Sequence, residues 1–337
     1  MRRALLAVLL LAAPAWAESV DISLTPRAEL GKGYPQVHVN ILEPIAGFKL
    51  KLTRSDGQVK EWKGGGPPGT TRSIDLEQPE GKFSYEGELS INNKNGTSAS
   101  MPLTFDAELW GSLQLKLDKK DVDVAGRKIV FSINRPIAKV ELKVLMDTGR
   151  PAFDGEIKFN GEPGNTRLSV TWPEATGNVF KISFRAFDTT EFHSGINLFP
   201  WSINIPHEEV NFDSGKSDIR PGEEAKLDKS VKLVADAVFK YGAFAEVKLF
   251  VGGHTDTVGP KDSNRALSND RARAIAGYFK KKGIKCPIKY FGFGEEALLV
   301  GTADEVDEQR NRRAEYILSV EDPGGKQTPV VPKWQSL

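Results

Sequence analysis

Two segments of the chain share one alternating pattern of apolar and charged residues. Phe48 to Leu52 and Val140 to Val144 place an apolar residue at every second position, with Lys or Glu between them. This alternation is typical of a strand that has one face in a core and the other face in water. Turn-forming residues follow both segments, at Ser55-Asp56-Gly57 and at Asp147-Thr148-Gly149. Both segments therefore predict antiparallel sheet.

The two segments belong to a longer internal repeat. Val37 to Leu52 matches Ile129 to Val144 at a constant offset of 92 residues (37 against 129), and Trp110 and Trp201 come within one residue of that offset. Further strands are predicted at 73–76, 83–91, 168–172 and 179–187. Several short strands at this spacing favour one small sandwich per copy. We expect a multidomain chain that begins with two tandem all-β immunoglobulin-like sandwiches, over 18–110 and 111–203.

An outer-membrane β-barrel is the alternative interpretation of this region. The strands of such a barrel need about 9–11 residues, an apolar outer face and girdles of aromatic residues. The strands predicted here are short, and Lys and Glu lie on their exposed faces. The pattern therefore favours sandwiches, and a porin-like N-terminal half stays open as the second hypothesis.

The hydrophobic pattern changes period after residue 205. Apolar residues recur on one face of a predicted helix, at Leu227, Val231, Val234 and Val238. A second helix is predicted from Ser263 to Lys282, with Gly283 at its end. Strands are predicted at 210–212, 247–251, 288–291 and 314–318. This alternation predicts an α+β domain over 207–320, followed by a disordered tail over 321–337, where apolar periodicity ends.

The first seventeen residues have the form of a signal peptide. Arg2 and Arg3 precede an apolar run from Ala4 to Ala13, and Ala15-Trp16-Ala17 resembles a cleavage site. The apolar run is shorter than the roughly 20 residues that a membrane-spanning helix needs. We expect a mature chain that begins near Glu18 and lies in the periplasm of a Gram-negative envelope, either free or associated with the outer membrane.

Charge and composition exclude several classes of function. The chain has 46 basic and 45 acidic residues, so it lacks the basic excess that binding to nucleic acid requires. It has no nucleophile elbow and no phosphate loop, and its one cysteine has no catalytic partner in the pattern. We therefore predict that the chain is not an enzyme and needs no cofactor. His254 lies close to Asp256, but a metal site needs three or four ligands, so a structural role for this histidine is favoured.

Several separated motifs resemble the OmpA C-terminal family. They are Asn211 to Ile219, Gly253 to Gly259, Asn264 to Ala272, Gly292 to Glu295 and Asn311 to Arg313. The resemblance covers about 110 of the 337 residues, and one departure is Ala297-Leu298-Leu299, where the family commonly has a proline. It implies a βαβαβ domain that binds peptidoglycan through the diaminopimelate of the stem peptide. It also implies that Asp256 and Arg271 are the central binding residues and that Asn264, Leu267 and Arg312 line the same groove.

The ligand chemistry agrees with these two residues. The distal end of diaminopimelate carries an ammonium and a carboxylate on one carbon, so a complementary site needs an anion beside a cation. We assign Asp256 to the ammonium and Arg271 to the carboxylate, because a guanidinium can bind a carboxylate through two parallel hydrogen bonds. An ordinary surface salt bridge between the two is the competing interpretation. The predicted function is anchoring to peptidoglycan, while the sandwiches contact an envelope protein or a glycan that the sequence does not identify.

Overall fold

The computed structural model describes residues 19–94, 96–213, 215–324 and 330–337. The predicted signal peptide, residues 1–17, lies outside these ranges. The chain divides into two compact units, of which one ends at Ser112 and the other begins at Leu113. The division falls two residues from the boundary that the repeat predicts between the sandwiches.

The first unit is built from two β-sheets. Its strands are β1 (Val20–Thr25), β2 (Arg27–Glu29), β3 (Gln36–Ile41), β4 (Ile45–Arg54), β5 (Val59–Gly64), β6 (Thr71–Asp75), β7 (Gly81–Asn93) and β8 (Ser98–Trp110). The sheet orders are β1-β3-β6 and β2-β8-β7-β4-β5, and β2 and β8 pair in parallel. Val37 and Val39 of one sheet and Leu50 and Leu52 of the other are buried in one core. The predicted alternation therefore corresponds to one buried face per sheet.

The second unit begins with a similar pair of sheets. Its first strands are β9 (Leu115–Lys116), β10 (Val122–Asp123), β11 (Lys128–Ile133), β12 (Ile137–Met146), β13 (Pro151–Lys158), β14 (Leu168–Thr171), β15 (Val179–Asp188) and β16 (His193–Leu198). The order β13-β12-β15-β16 repeats the order β5-β4-β7-β8 of the first unit. Strands β11 and β12 also begin and end 92 residues after β3 and β4, as in 128 against 36 and 146 against 54. The segments that match in sequence therefore form equivalent strands.

The rest of the second unit is an α/β layer. Its elements are β17 (Ser202–Asn204), α1 (Glu224–Tyr241), β18 (Lys248–His254), α2 (Lys261–Lys281), β19 (Ile288–Gly294), β20 (Ala314–Ser319) and β21 (Gln335–Ser336). The sheet order is β17-β20-β18-β19-β21. Leu227 and Val234 of α1 and Ile275 and Phe279 of α2 share one core with the sheet. Strands β18 and β19 pair in parallel, so both carboxyl ends meet at one edge of the sheet, beside the start of α2.

The strand predicted at 210–212 is wrong. The sheet takes Ser202–Asn204 instead, which pairs with β20 inside the range assigned to the second sandwich. Trp201 and Ile205 are buried and Ile203 is partly buried, with exposed residues between them. This alternation indicates a strand, which the domain boundary predicted at residue 203 divided into two. Val210 instead packs on the core from an irregular segment.

The expectation of a disordered tail over 321–337 is wrong for residues 330–337. Strand β21 pairs with β19 in the register Lys289 with Ser336 and Tyr290 with Gln335. Trp334 lies against Phe250, Phe291 and Phe293, with ring centroids 5.0, 5.9 and 6.0 Å apart. These rings belong to the sheet face that the helices do not cover. Trp334 and Val330 pack on that face, and two residues with irregular chain between them produce no periodic pattern in the sequence.

In the part of the chain that the structure describes, neither helix combines the length and the apolar character that crossing a membrane requires.

Candidate functional site

Two glycines allow α2 to approach the carboxyl ends of the parallel strands. A Cβ atom at Gly253 would lie 2.2 Å from the carbonyl oxygen of Ser268, and one at Gly292 would lie 2.2 Å from the amide nitrogen of Asn269. Any larger residue at these positions would force the helix away from β18 and β19. The Ser268 hydroxyl accepts a hydrogen bond from the Gly294 amide at 2.9 Å. The motif glycines therefore set the distance between the helix and the loops that follow the strands.

The loop after β18 is held from both sides. The Thr257 hydroxyl donates to the Ala303 carbonyl at 2.7 Å and accepts from the Val306 amide at 3.1 Å. On the other side, the Asn264 amide nitrogen lies 3.1 Å from the Val258 carbonyl and 2.7 Å from Glu295 Oε2. Asn264 was predicted to line the groove, and the structure places it inside, 6% exposed. Its hydrogen bonds hold the loop that presents Asp256.

Asp256 is buried and is paired with Arg312. One carboxylate oxygen contacts Nη1 of Arg312, and the other lies 3.4 Å from the Val258 amide. The same Nη1 also contacts the carboxylate of Asp307, while Nη2 contacts Oε1 of Gln309. These carboxylates raise the pKa of Arg312, and Asp307 has the largest effect. Among the described residues, Asp256 is thus paired with Arg312, and the salt bridge with Arg271 that was the competing interpretation does not form.

Arg271 is positioned by uncharged groups. Its Nε donates to the Lys216 carbonyl at 3.0 Å, its Nη2 donates to the Asp213 carbonyl at 3.3 Å, and its Cζ lies 5.0 Å from the centroid of the Phe212 ring. Within the described residues, no carboxylate oxygen lies within 4.0 Å of this guanidinium. Partial burial lowers the pKa of Arg271, the charge of Arg312 lowers it further, and Asp256 acts in the opposite direction. In the described structure the guanidinium is therefore held in place without a directly paired anion.

Leu267, which was predicted to line the groove, and Arg313 of the last motif have different surroundings. Leu267 is half-buried on α2, one turn before Arg271 and on the same helix face. Arg313 turns away from the groove, because its guanidinium donates to Glu315 Oε1 at 2.9 Å and to the Ala297 carbonyl at 3.2 Å.

His254 lies inside the sheet edge next to this site. Its ring stacks on Phe293 with centroids 4.8 Å apart and planes 6° apart, and burial lowers the pKa of its imidazole. Nδ1 lies 3.2 Å from the Ala297 carbonyl. No group of three or more His, Cys, Asp or Glu suited to a metal occurs among the described residues.

Sequence reasoning missed several residues that shape the site. Asp307 and Gln309 hold Arg312. Asp307 lies in a loop and Gln309 begins a short 3-10 helix, Gln309–Asn311, and neither belongs to a recognisable sequence pattern. Phe212 and Lys216 support Arg271, and both lie in the segment that matches the opening of the family, which is the one signal that could have indicated them. Asn311 clamps the backbone of Val300 through hydrogen bonds of 2.8 and 2.9 Å, which explains why an asparagine precedes Arg312.

Comparison with known proteins agrees with this architecture. Residues 211–312 match the model of the OmpA family. Outer membrane protein A of Buchnera aphidicola subsp. Schizaphis graminum is 27% identical over 240 residues, which are 63% of this chain and 62% of that protein. Peptidoglycan-binding protein ArfA of Mycobacterium bovis is 22% identical over 209 residues, 59% of this chain and 60% of that protein. The chain thus spans about three fifths of the length of each of these relatives.

One similar solved structure matches part of the chain. The peptidoglycan-associated lipoprotein of Burkholderia pseudomallei is 22% identical, covers 33% of this chain and 88% of its own, and gives a TM-score of 0.27. The family match and the motifs coincide on β18, α2, β19 and the loops at their ends. Residues 211–312 of this chain therefore form a domain of the OmpA family.

Proposed function

We propose that the C-terminal domain binds peptidoglycan non-covalently and anchors the β-sandwiches to the cell wall. In this proposal Arg271 binds the carboxylate of the stem-peptide diaminopimelate and Asp256 binds its ammonium. The observation that carries the proposal is the guanidinium of Arg271, which is half-buried, held by two carbonyls and not directly paired with a carboxylate in the described structure. One relative, ArfA of Mycobacterium bovis, is named a peptidoglycan-binding protein.

A carboxylate ligand would complete the environment of Arg271. Partly buried cations are normally paired, because a charge that loses water needs a partner of opposite sign. The two carbonyls and the Phe212 ring orient the guanidinium but do not neutralise it. The incoming carboxylate can therefore form charge-assisted hydrogen bonds with a group whose orientation is already set.

The expected affinity of a single site is modest. Charge-assisted hydrogen bonds contribute about 1.5–3 kcal/mol each, while immobilising a partner costs roughly 4–15 kcal/mol. Peptidoglycan repeats the ligand many times along a polymer, so a domain that dissociates rebinds nearby. Weak individual contacts are therefore compatible with a stable anchor that can still release as the wall grows.

The cellular location follows from the same proposal. Outer membrane protein A of Buchnera aphidicola is an outer-membrane protein by name, and the first seventeen residues predict export. We place the chain in the periplasm of a Gram-negative envelope, where its C-terminal domain can reach the wall. The sandwiches would then act as spacers or would contact an envelope protein or a glycan.

The test is co-sedimentation of the mature chain with purified sacculi that contain diaminopimelate. We expect Arg271→Ala and Asp256→Asn each to weaken binding at least about tenfold, since each removes one charge-assisted contact. Arg273→Ala and Asp270→Asn are matched controls. Both residues are exposed on α2, and their substitutions remove the same charges as Arg271→Ala and Asp256→Asn. Circular dichroism checks that the variants fold. If Arg271→Ala pelleted like the unaltered chain, the assigned site would be wrong.

The same samples separate an anchor from a wall-cleaving enzyme. We expect the soluble fraction to contain no released muropeptides, because the proposal assigns both Asp256 and Arg271 to binding. Release that Asp256→Asn abolished would replace the anchoring proposal with a hydrolytic one.

A further inference from the structure

Arg312 contacts two carboxylates that differ in their surroundings. Its Nη1 contacts both Asp256 and Asp307. The side chain of Asp256 is 9% exposed, whereas that of Asp307 is 75% exposed. The buried carboxylate is the one assigned to the ligand, so the exposed carboxylate is an additional negative charge at the same guanidinium.

The backbone holds Asp307 in this place. Thr257 directly follows Asp256, and its hydroxyl accepts from the amide of Val306, which directly precedes Asp307. The amide of Glu305 donates to the Thr257 carbonyl at 2.9 Å. Both carboxylates are therefore attached to two loops that are hydrogen-bonded to each other. Their separation does not depend on the flexible side chain of Arg312 alone.

The charges of the groups in contact explain what Asp307 changes. Asp256, Arg312 and Asp307 together carry one net negative charge. Arg271, whose pKa both Arg312 and Asp256 influence, carries one positive charge. Glu308 is paired with Arg310 and adds no net charge. Without Asp307, the pair of Asp256 and Arg312 would be neutral and the positive charge of Arg271 would remain. Such a site would attract any carboxylate and would offer no net attraction to an ammonium.

We propose that Asp307 is a specificity-determining residue that makes the site select a zwitterionic amino-carboxylate end over a plain carboxylate. When an ammonium approaches Asp256, Asp307 continues to neutralise Arg312, so this arginine does not have to leave the site or repel the ligand. The inference rests on the proposed binding of the stem peptide at Asp256 and Arg271. Asp307 acts on the ligand through Arg312, and we do not assign it a direct contact.

The test compares two synthetic stem peptides on the mature chain by calorimetry. One ends in diaminopimelate, and the other ends in 2-aminopimelate, which keeps the distal carboxylate but lacks the distal amine. We expect Asp307→Asn to weaken binding of the diaminopimelate peptide about fivefold. This is the effect expected when one nearby charge is removed from a water-exposed site. Binding of the 2-aminopimelate peptide should stay the same or become stronger. Asp307→Glu should restore most of the preference.

One control variant and three outcomes make the test decisive. Asp304→Asn removes an exposed carboxylate of the same loop, which within the described residues bonds only to the next amide. This variant should not change the preference. Equal weakening of both peptides by Asp307→Asn would mean a structural role and would overturn the inference. An unchanged preference would also overturn it. If the unaltered chain bound neither peptide, the proposed function itself would fail. This result differs from any effect of the Asp307 variants, so the two failures can be told apart.

Discussion

The two sandwiches share their strand order and differ at one end. Arg54 ends β4 and Met146 ends β12, and each precedes the equivalent turn of its own sandwich. Their positions differ by the repeat offset of 92. In the first sandwich Arg54 is bonded to Asp56 at 2.7 and 2.9 Å and to the Glu77 carbonyl at 3.2 Å. Its guanidinium also lies over the Phe83 ring at 4.9 Å. This end is therefore closed by a polar cluster of the sandwich itself.

The corresponding end of the second sandwich is aromatic and shared with the OmpA domain. Phe180 lies 5.0 Å from Trp201, and Trp201 lies 4.4 Å from Tyr241 of α1, measured between ring centroids. Phe244 contacts Phe180 and approaches Gly149 in the turn. These residues belong to the core of the OmpA domain. A few residues at one end of a repeated fold thus decide whether a module is closed by itself or forms one core with its neighbour.

The largest effect is expected from removing the centre of the aromatic cluster. Trp201→Ala should lower the free energy of unfolding of the second unit by about 3–5 kcal/mol, because the side chain is 2% exposed and the cavity would open between two layers. Urea unfolding followed by circular dichroism measures this loss. Trp110→Ala is the matched control at the equivalent place in the first unit. Trp110 is only partly buried, so its loss should be at most about 2 kcal/mol. Equal losses would mean that the cluster is not a shared core.

A smaller effect is expected at the polar end. Arg54→Met places in the first sandwich the residue type that the second has there. It removes the guanidinium that bonds to Asp56 and the shorter of two hydrogen bonds to the Glu77 carbonyl, since Lys60 also donates to that carbonyl at 3.4 Å. We expect the first unit to lose about 1–3 kcal/mol, because the substitution removes the charge-assisted hydrogen bonds of a buried guanidinium. Hydrogen exchange of the β4 and β7 amides assigns the change to this unit. Arg72→Met, on an exposed arginine, should change stability by less than about 0.5 kcal/mol. A stable Arg54→Met variant would show that the polar cluster is dispensable.

The smallest effect comes from two equivalent glycines in the turns. Gly57 has φ +87° and Gly149 has φ +83°, so alanine at either position costs about 1–2 kcal/mol of backbone strain. A Cβ at Gly57 meets nothing within 4 Å, whereas one at Gly149 lies 3.1 Å from Phe244 Cζ. Gly149→Ala should therefore cost a few tenths of a kcal/mol more than Gly57→Ala. The two unfolding free energies measure the difference, and equal values would mean that the turn and Phe244 are not tightly packed.

The junction also decides how the C-terminal domain should be studied. Strand β17 lies before residue 205, and Trp201 contributes to the same core. A fragment that begins at residue 205 would lack both. It would also expose Tyr241 and Phe244, which pack against Trp201 and Phe180 in the whole chain. Binding experiments are therefore best done with the mature chain.

Much of the fold could be predicted because burial of one face produces a local pattern. The alternation in Phe48 to Leu52 predicted a strand, and β4 contains it. The helical spacing from Leu227 to Val238 predicted α1, where Leu227 and Val234 are buried. Gly283 was expected to end α2 in a left-handed conformation, and its φ is +88°. Periods of 2 and 3.6 residues depend only on neighbours in the chain.

The sequence by itself determined which residue types the site contains, and the tertiary structure decided how they are paired. The motifs indicated Asp256, Arg271 and Arg312, but the partner of Asp256 depends on loops that are about fifty residues apart. Arg271 is turned toward the carbonyls of 213 and 216, and Arg312 is turned toward Asp256 and Asp307. The contact of Trp334 with Phe291 of β19 could not be predicted for the same reason. Contacts between distant segments leave no periodic trace in the chain, so only the folded arrangement reveals them.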